Sequence, residues 1–129
     1  MTTVDLLKPL VDGLTQSHPG FSTLDLEKAF IAAEKAHAGQ LRKSGEEYIT
    51  HPVAVAQILI DLGMDLPTVM AALLHDTVED THITLQDIED LFGVTVRKII
   101  DGLTKIPEVF DENTSIQAEN FRKMILTIS

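Results

Sequence analysis

The feature that most constrains this chain is an apolar run that continues, without a helix breaker, into a group of chemically active side chains. Residues 71–80 read AALLHDTVED. Because side chains four residues apart share one helix face, His75 lies over Glu79. Asp76 lies over Asp80 by the same rule, and all four side chains fall within a wedge of about 100°. Polar groups at the end of a core helix are costly to bury without a positive charge, so the pattern predicts a metal site.

A third candidate ligand lies upstream. His51 precedes Pro52, which reads as the start of a helix, and a neutral imidazole there is well placed to bind a metal. Together with His75 and Asp76 it forms a mixed nitrogen and oxygen set. Such a set is typical of a site for Mn, Fe, Zn or Co and differs from a structural site built from thiolates.

Each of these residues also has an ordinary structural explanation. His51 alone is consistent with a helix cap or turn, and His75 with a hydrogen-bonded core histidine. Glu79 and Asp80 alone are consistent with a solvated helix end. The metal site is the preferred interpretation because these residues occur together.

The rest of the chain reads as helices. Apolar residues at intervals of three and four, with Pro, Gly and capping residues between them, predict helices over 4–16, 22–37, 52–63, 67–80, 84–92 and 94–103. A further amphipathic helix is expected from residue 116 onward, and no convincing strand pattern appears. His37, at a helix end, and His82, in a Thr-rich turn, are expected to be structural.

Composition sets limits on fold and function. A chain of 129 residues that is 44% hydrophobic can bury one core, so one domain is the default. It has no cysteine, which excludes disulfide bonds and thiolate metal ligands. No stretch of about 18 apolar residues and no signal-peptide pattern occur, so we expect a cytoplasmic protein without membrane contact. The net charge of −10 argues against nucleic-acid binding, because phosphate backbones are bound by basic surfaces.

Four ordered sequence blocks carry a resemblance to a known family. They are HAGQLRKSGEEYITHPVAVA at 37–56, AALLHDTVEDT at 71–81, DGLTK at 101–105 and QAENFRKM at 117–124. These blocks resemble the hydrolase domain of the RelA/SpoT alarmone enzymes, which belongs to the HD superfamily of metal-dependent phosphohydrolases. The resemblance covers roughly residues 20–129, and four blocks at matching spacing are far more specific than a single His-Asp pair.

The resemblance implies an all-α fold, an HD-type helical bundle that lacks its C-terminal helices. The single domain is expected to span residues 1–129, with 1–20 as an N-terminal helix and linker and 21–129 as the family-like part. The amphipathic segment from residue 116 reaches Ser129 without a Gly or Pro stop. We therefore expect a chain cut from something longer, although a C-terminal helix that docks and frays is also consistent with this pattern.

The resemblance also implies a reaction, the removal of the 3′-pyrophosphate from guanosine tetra- or pentaphosphate, (p)ppGpp, to give GDP or GTP and pyrophosphate. A Mn²⁺ ion would be held by His51, His75, Asp76 and a further Asp beyond the end of this chain. Glu79 and Asp80 would orient a water molecule and accept its proton. Because one ligand is absent from these 129 residues, this polypeptide alone is expected to bind metal weakly and to hydrolyse slowly.

A second candidate site is the Arg42-Lys43-Ser44-Gly45 loop. An isolated charged loop is usually just solvated, but this one lies nine residues before the His51 position in a chain that is poor in cations. Arg can stack on a base and donate several hydrogen bonds, whereas Lys acts as a point charge. By resemblance, Arg42, Lys43, Ser44 and Tyr48 would contact the nucleotide.

Two other function classes remain open at this stage. A degenerate domain of the same fold could serve only as a regulatory module, although the intact His75-Asp76 and Glu79-Asp80 pairs argue against this. A different HD phosphohydrolase could act on ordinary nucleotides or cyclic dinucleotides. The resemblance also leads us to expect a synthetase domain after this one in the parent chain.

Overall fold

The computed structural model describes residues 3–39, 45 and 48–103, without the side chains of residues 3, 4, 79, 80 and 103. Six α-helices form this part: α1 Thr3–Ser17, α2 Thr23–Ala36, α3 Thr50–Asp61, α4 Leu66–Asp80, α5 Leu85–Phe92 and α6 Val94–Leu103. Across these ranges no strand occurs, which confirms the predicted all-α fold. None of these helices is long and apolar enough to cross a membrane. The helix expected from residue 116 lies outside the described residues.

Local capping signals fix several helix starts. Helix α2 begins after Ser22, whose hydroxyl accepts a hydrogen bond from the Asp25 backbone N–H at 3.2 Å. Helix α5 begins with a capping box, in which Thr84 and Asp87 each accept a hydrogen bond from the other's backbone N–H. Both caps satisfy N–H groups that have no partner within the first turn of a helix. Both starts agree with the sequence prediction.

Helix α3 begins earlier than predicted. We expected Pro52 to open it, but the helix starts at Thr50. Pro is tolerated there because the first N–H groups of a helix make no intrahelical hydrogen bond. As a result His51 lies inside the first turn of α3, whereas we expected it to precede the helix. The predicted stop at Gly63 holds, since this residue has φ +84° just after the helix.

Helix α4 is the centre of the fold. It packs against α2, α3 and α6, and its residues from Val69 to Leu74 are 4% exposed or less. Helix α1 packs on α3 at a close approach, where a Cβ atom on Gly13 would lie 2.6 Å from Cγ2 of Ile60. The surrounding helices therefore hold the C-terminal end of α4, which carries the predicted metal ligands, inside the domain.

Candidate metal centre

Polar side chains at the end of α4 are as deeply buried as the apolar core before them. Leu74 is fully buried, and the next two residues, His75 and Asp76, are 5% and 4% exposed. Burying a polar or charged group is unfavourable unless it has a close partner. The contacts of these two side chains therefore decide what this end of the helix can do.

The hydrogen bond of His75 to the backbone indicates which ring nitrogen carries the proton of the neutral ring. Its Nδ1 lies 2.9 Å from the backbone oxygen of Ala72, and a carbonyl oxygen can only accept. Nδ1 therefore carries a proton, and Nε2 is the acceptor nitrogen of the neutral ring. Nε2 lies 2.9 Å from Oδ1 of Asp76. Two lone-pair atoms at this distance require a positive species, either an extra proton or a metal ion.

The spacing of the two donors fits a metal ion. Ligand atoms that each lie about 2.1 Å from a metal and are a right angle apart are separated by about 3 Å. The distance of 2.9 Å between Nε2 of His75 and Oδ1 of Asp76 agrees with this value and equally with a hydrogen bond from a protonated ring. An imidazole nitrogen beside a carboxylate oxygen is a donor pair that suits divalent transition metals.

The second oxygen of Asp76 also has a partner. The hydroxyl of Tyr48 donates a hydrogen bond to Oδ2 at 3.1 Å. The Tyr48 ring in turn stacks on the ring of His37, with centroids 4.3 Å apart and planes 19° from parallel. His37 forms the C-cap of α2 and is buried, in agreement with its expected structural role. Sequence reasoning missed the stack, because nothing in local spacing relates a helix cap to a loop tyrosine.

The pKa of Asp76 lies below its ordinary value. Burial is the largest influence and by itself raises the pKa. In the metal-free protein a protonated His75 acts in the opposite direction through its hydrogen bond and charge, as do the charge of His51 and the hydrogen bond from Tyr48, and together they outweigh burial. The carboxyl group therefore stays ionised at neutral pH, as a metal ligand must.

The third predicted ligand, His51, is near this pair. It is 4% exposed in the first turn of α3, and its charge contributes to the low pKa of Asp76. Within the described ranges, however, no three histidine, cysteine, aspartate or glutamate side chains are arranged as a group that could hold an ion. In the described part of the chain His75 therefore contacts Asp76 directly, and the role of His51 as a metal ligand stays a prediction.

The other predicted site residues are only partly described. Helix α4 includes Glu79 and Asp80 in its last turn, but the side chains of both residues lie outside the described part. Arg42, Lys43 and Ser44 also lie outside it. Their predicted roles in proton transfer and nucleotide binding stay predictions.

Comparison with known proteins decides the family, because residues 29–129 match the HD domain family. The chain belongs to the HD domain family. It is 52% identical over 104 residues to the bifunctional (p)ppGpp synthase/hydrolase SpoT of Escherichia coli K12, covering 80% of this chain and 15% of that protein. The guanosine-3′,5′-bis(diphosphate) 3′-pyrophosphohydrolase of Escherichia coli O157:H7 gives the same values. The probable GTP pyrophosphokinase of Mycobacterium leprae is 44% identical over 128 residues, which is 99% of this chain and 16% of that protein.

These matches bear on the sequence interpretation in two ways. The resemblance to the RelA/SpoT hydrolase domain is confirmed, although this HD domain spans only 15–16% of the length of those relatives. The family also suggests a divalent metal, and the buried His75–Asp76 donor pair has the chemistry to bind one.

Proposed function

We propose that this HD domain removes the 3′-pyrophosphate from (p)ppGpp and releases GDP or GTP and pyrophosphate. The observation that carries the proposal is the buried pair at the end of α4, where His75 Nε2 faces Asp76 Oδ1 at 2.9 Å. The names of the Escherichia coli relatives, which contain this hydrolase activity, supply the substrate. The name of the Escherichia coli K12 relative combines synthase with hydrolase, so we also propose a following synthetase domain in the parent protein.

In this proposal His51, His75 and Asp76 hold a Mn²⁺ ion, with a further aspartate outside this chain. When bound, the ion supplies Lewis acidity, which polarises a phosphoryl oxygen and makes a water molecule more acidic. The Ala72 carbonyl keeps the His75 ring oriented with Nε2 toward the site, since it holds the proton on Nδ1. The low pKa of Asp76 keeps its carboxylate anionic.

Proton transfer is assigned to the last turn of α4. Glu79 and Asp80 follow His75 and Asp76 by four residues, about one turn of α4. A carboxylate at that position can orient the attacking water and accept its proton. General-base catalysis of this kind contributes about 10²–10⁴-fold to a rate.

Nucleotide binding is assigned to Arg42, Lys43 and Ser44, with Tyr48 at the end of the same loop. A chain with a net charge of −10 repels a polyphosphate unless cations are concentrated where it binds. Arg offers a planar group for the guanine base, and Lys offers charge for the phosphates. Both contributions are expected to appear in the KM for the nucleotide.

The reaction is tested by turnover of a guanosine 3′-pyrophosphate, compared with 5′-nucleotides and cyclic dinucleotides, in the full-length protein with Mn²⁺. Release of pyrophosphate from the first substrate alone is expected. His75→Ala should abolish it, and the matched control His18→Ala, at the end of α1, should not. Preference for 5′-nucleotides or cyclic dinucleotides would refute the proposed substrate, and activity of His75→Ala equal to wild type would refute the site.

The loop is tested by a double substitution with a matched control. Arg42→Ala combined with Lys43→Ala should raise KM for the nucleotide and leave Mn²⁺ affinity nearly unchanged, because neither side chain can ligate a cation. The control is a second Arg-Lys pair, Arg97 and Lys98 on α6, whose replacement removes the same charge. Equal KM changes in the two double variants would show that KM depends on total charge and that Arg42 and Lys43 have no specific role in binding.

A further inference from the structure

Two aromatic rings join the ends of the connection between α2 and α3. His37 is the C-cap of α2, and Tyr48 lies two residues before α3 begins at Thr50. Their rings stack at a centroid distance of 4.3 Å. The stack therefore holds together the two ends of the segment that contains Arg42 and Lys43.

The same tyrosine reaches the candidate metal centre. Its hydroxyl donates to Oδ2 of Asp76 at 3.1 Å, while Oδ1 of that carboxylate lies 2.9 Å from Nε2 of His75. A carboxylate is planar, so a hydrogen bond that fixes one oxygen also fixes the direction of the other. Without this bond the Asp76 group could rotate about its last single bond, and Oδ1 would not be held beside the imidazole.

We propose that Tyr48 is a positioning residue for Asp76, and that stacking on His37 holds the Tyr48 ring where its hydroxyl can reach the carboxylate. The inference rests on the proposed metal site and adds to it a partner for the aspartate ligand. Hydrogen-bond partners that orient metal ligands typically change metal affinity by about 10–100-fold when they are removed. Tyr48 follows the proposed nucleotide-binding residues Arg42, Lys43 and Ser44 in the sequence, so one residue near them contacts the metal ligand Asp76.

The first test measures Mn²⁺ affinity from the EPR signal of the unbound ion. Tyr48→Phe keeps the ring and the stack but removes the hydroxyl, so Kd should rise about 10-fold or more. His37→Ala should raise Kd by a smaller factor, and His37→Phe should restore the wild-type value because it restores an aromatic partner. The control is Thr77→Val, which removes another buried hydroxyl next to Asp76 that donates to the Leu74 carbonyl. Its Kd should equal that of wild type.

The second test uses a spectroscopic property of this chain. Tyr48 is its only tyrosine, and the chain has no tryptophan, so tyrosine emission of the 129-residue chain reports this residue alone. Titration with diamagnetic Zn²⁺ should change the emission with the midpoint of metal binding, since the ion draws charge from the carboxylate that accepts the Tyr48 hydrogen bond. His75→Ala should remove this change. The wild-type titration also needs no variant that must fold.

The outcomes separate the positioning role from the metal site. If Tyr48→Phe binds Mn²⁺ like wild type while His75→Ala does not bind, the positioning role is wrong and the metal site stands. If His75→Ala also binds like wild type, the metal site itself is wrong. Tyrosine emission that is constant while Zn²⁺ binds overturns the positioning role as well.

Discussion

Two adjoining stretches of α4, residues 69–74 and residues 75–76, are buried to a similar degree but differ in their side chains, and we call them the apolar half and the polar half. From Val69 to Leu74 the helix presents apolar side chains to α2, α3 and α6. Each fully buried aliphatic side chain of this kind stabilises a fold by about 1.5–3 kcal/mol. His75 and Asp76 continue the same helix at 5% and 4% exposure, but their burial is unfavourable without partners.

The difference shows how stability and chemistry are divided along one helix. The apolar half gains its stability from packing, whereas the polar half is tolerated because a carbonyl, an imidazole and a phenol satisfy its polar atoms. We therefore expect substitutions in the apolar half to change unfolding without changing the chemistry of a folded molecule. Substitutions in the polar half should change the chemistry and have a smaller effect on unfolding.

The largest effect is expected in the last turn of α4. Glu79→Gln and Asp80→Asn keep the size of each side chain but remove the proton acceptor. We expect kcat to fall by about 10²–10⁴-fold, equivalent to about 3–5 kcal/mol in the barrier, with Mn²⁺ still bound. Steady-state kinetics and Mn²⁺ titration measure both quantities. An unchanged kcat in both variants would make these carboxylates an ordinary helix end.

A comparable effect of the opposite kind is expected about two turns earlier. Leu73 is fully buried, so Leu73→Ala should lower the free energy of unfolding by about 2–5 kcal/mol. Leu73→Met, which nearly conserves volume, should cost less than about 1.5 kcal/mol. Urea denaturation measures both values, and Mn²⁺ Kd should not change for the folded fraction. A Leu73→Ala variant that is fully folded and has lost metal affinity would contradict the claim that the apolar half of α4 contributes stability and not metal binding.

A smaller effect is expected at the start of α4. The Asp65 carboxylate accepts hydrogen bonds from the Thr68 backbone N–H at 3.2 Å and from its hydroxyl at 2.7 Å. Asp65→Ala should lower the free energy of unfolding by about 1 kcal/mol through loss of this cap. Asp61→Ala, which removes the same charge at the exposed end of α3, should change it by less than about 0.5 kcal/mol. Equal losses in the two variants would show a general charge effect and no cap.

The smallest effect is a pH dependence confined to the polar half. The pKa of Asp76 is lower in the folded chain than its ordinary value of 3.8, so its ionisation stabilises the fold above that pH. This contribution should disappear as the pH falls below 3.8 and through the folded pKa. In the metal-free chain, the difference in unfolding free energy between wild type and Asp76→Asn should therefore shrink on acidification. A difference that is constant with pH would contradict the ionised carboxylate.

Sequence predicted most of the fold because its signals are local. The Thr84–Asp87 capping box and Gly63 each act within a few residues, and both appear where expected. The start of α3 was placed two residues late, since proline is acceptable at more than one position of a first turn.

The site was predicted only in part because its decisive contacts are tertiary. The adjacency of His75 and Asp76 can be read from a helix. The hydrogen bond from Tyr48 to Asp76 joins residues 28 positions apart, and the stack on His37 joins the ends of two helices. No spacing rule predicts such contacts, because they depend on how α2, α3 and α4 pack together.

The most direct test of the account is to detect the ligands of a bound Mn²⁺ ion by pulsed EPR. Wild-type protein should show coupling of the Mn²⁺ electron spin to imidazole nitrogen. Coupling should weaken or disappear in His75→Ala and remain in Asp65→Ala, which alters only the other end of the same helix. A metal centre at His75 and Asp76 is contradicted if no ion binds, or if Mn²⁺ binds with oxygen ligands only and gives the same spectrum in wild type and His75→Ala.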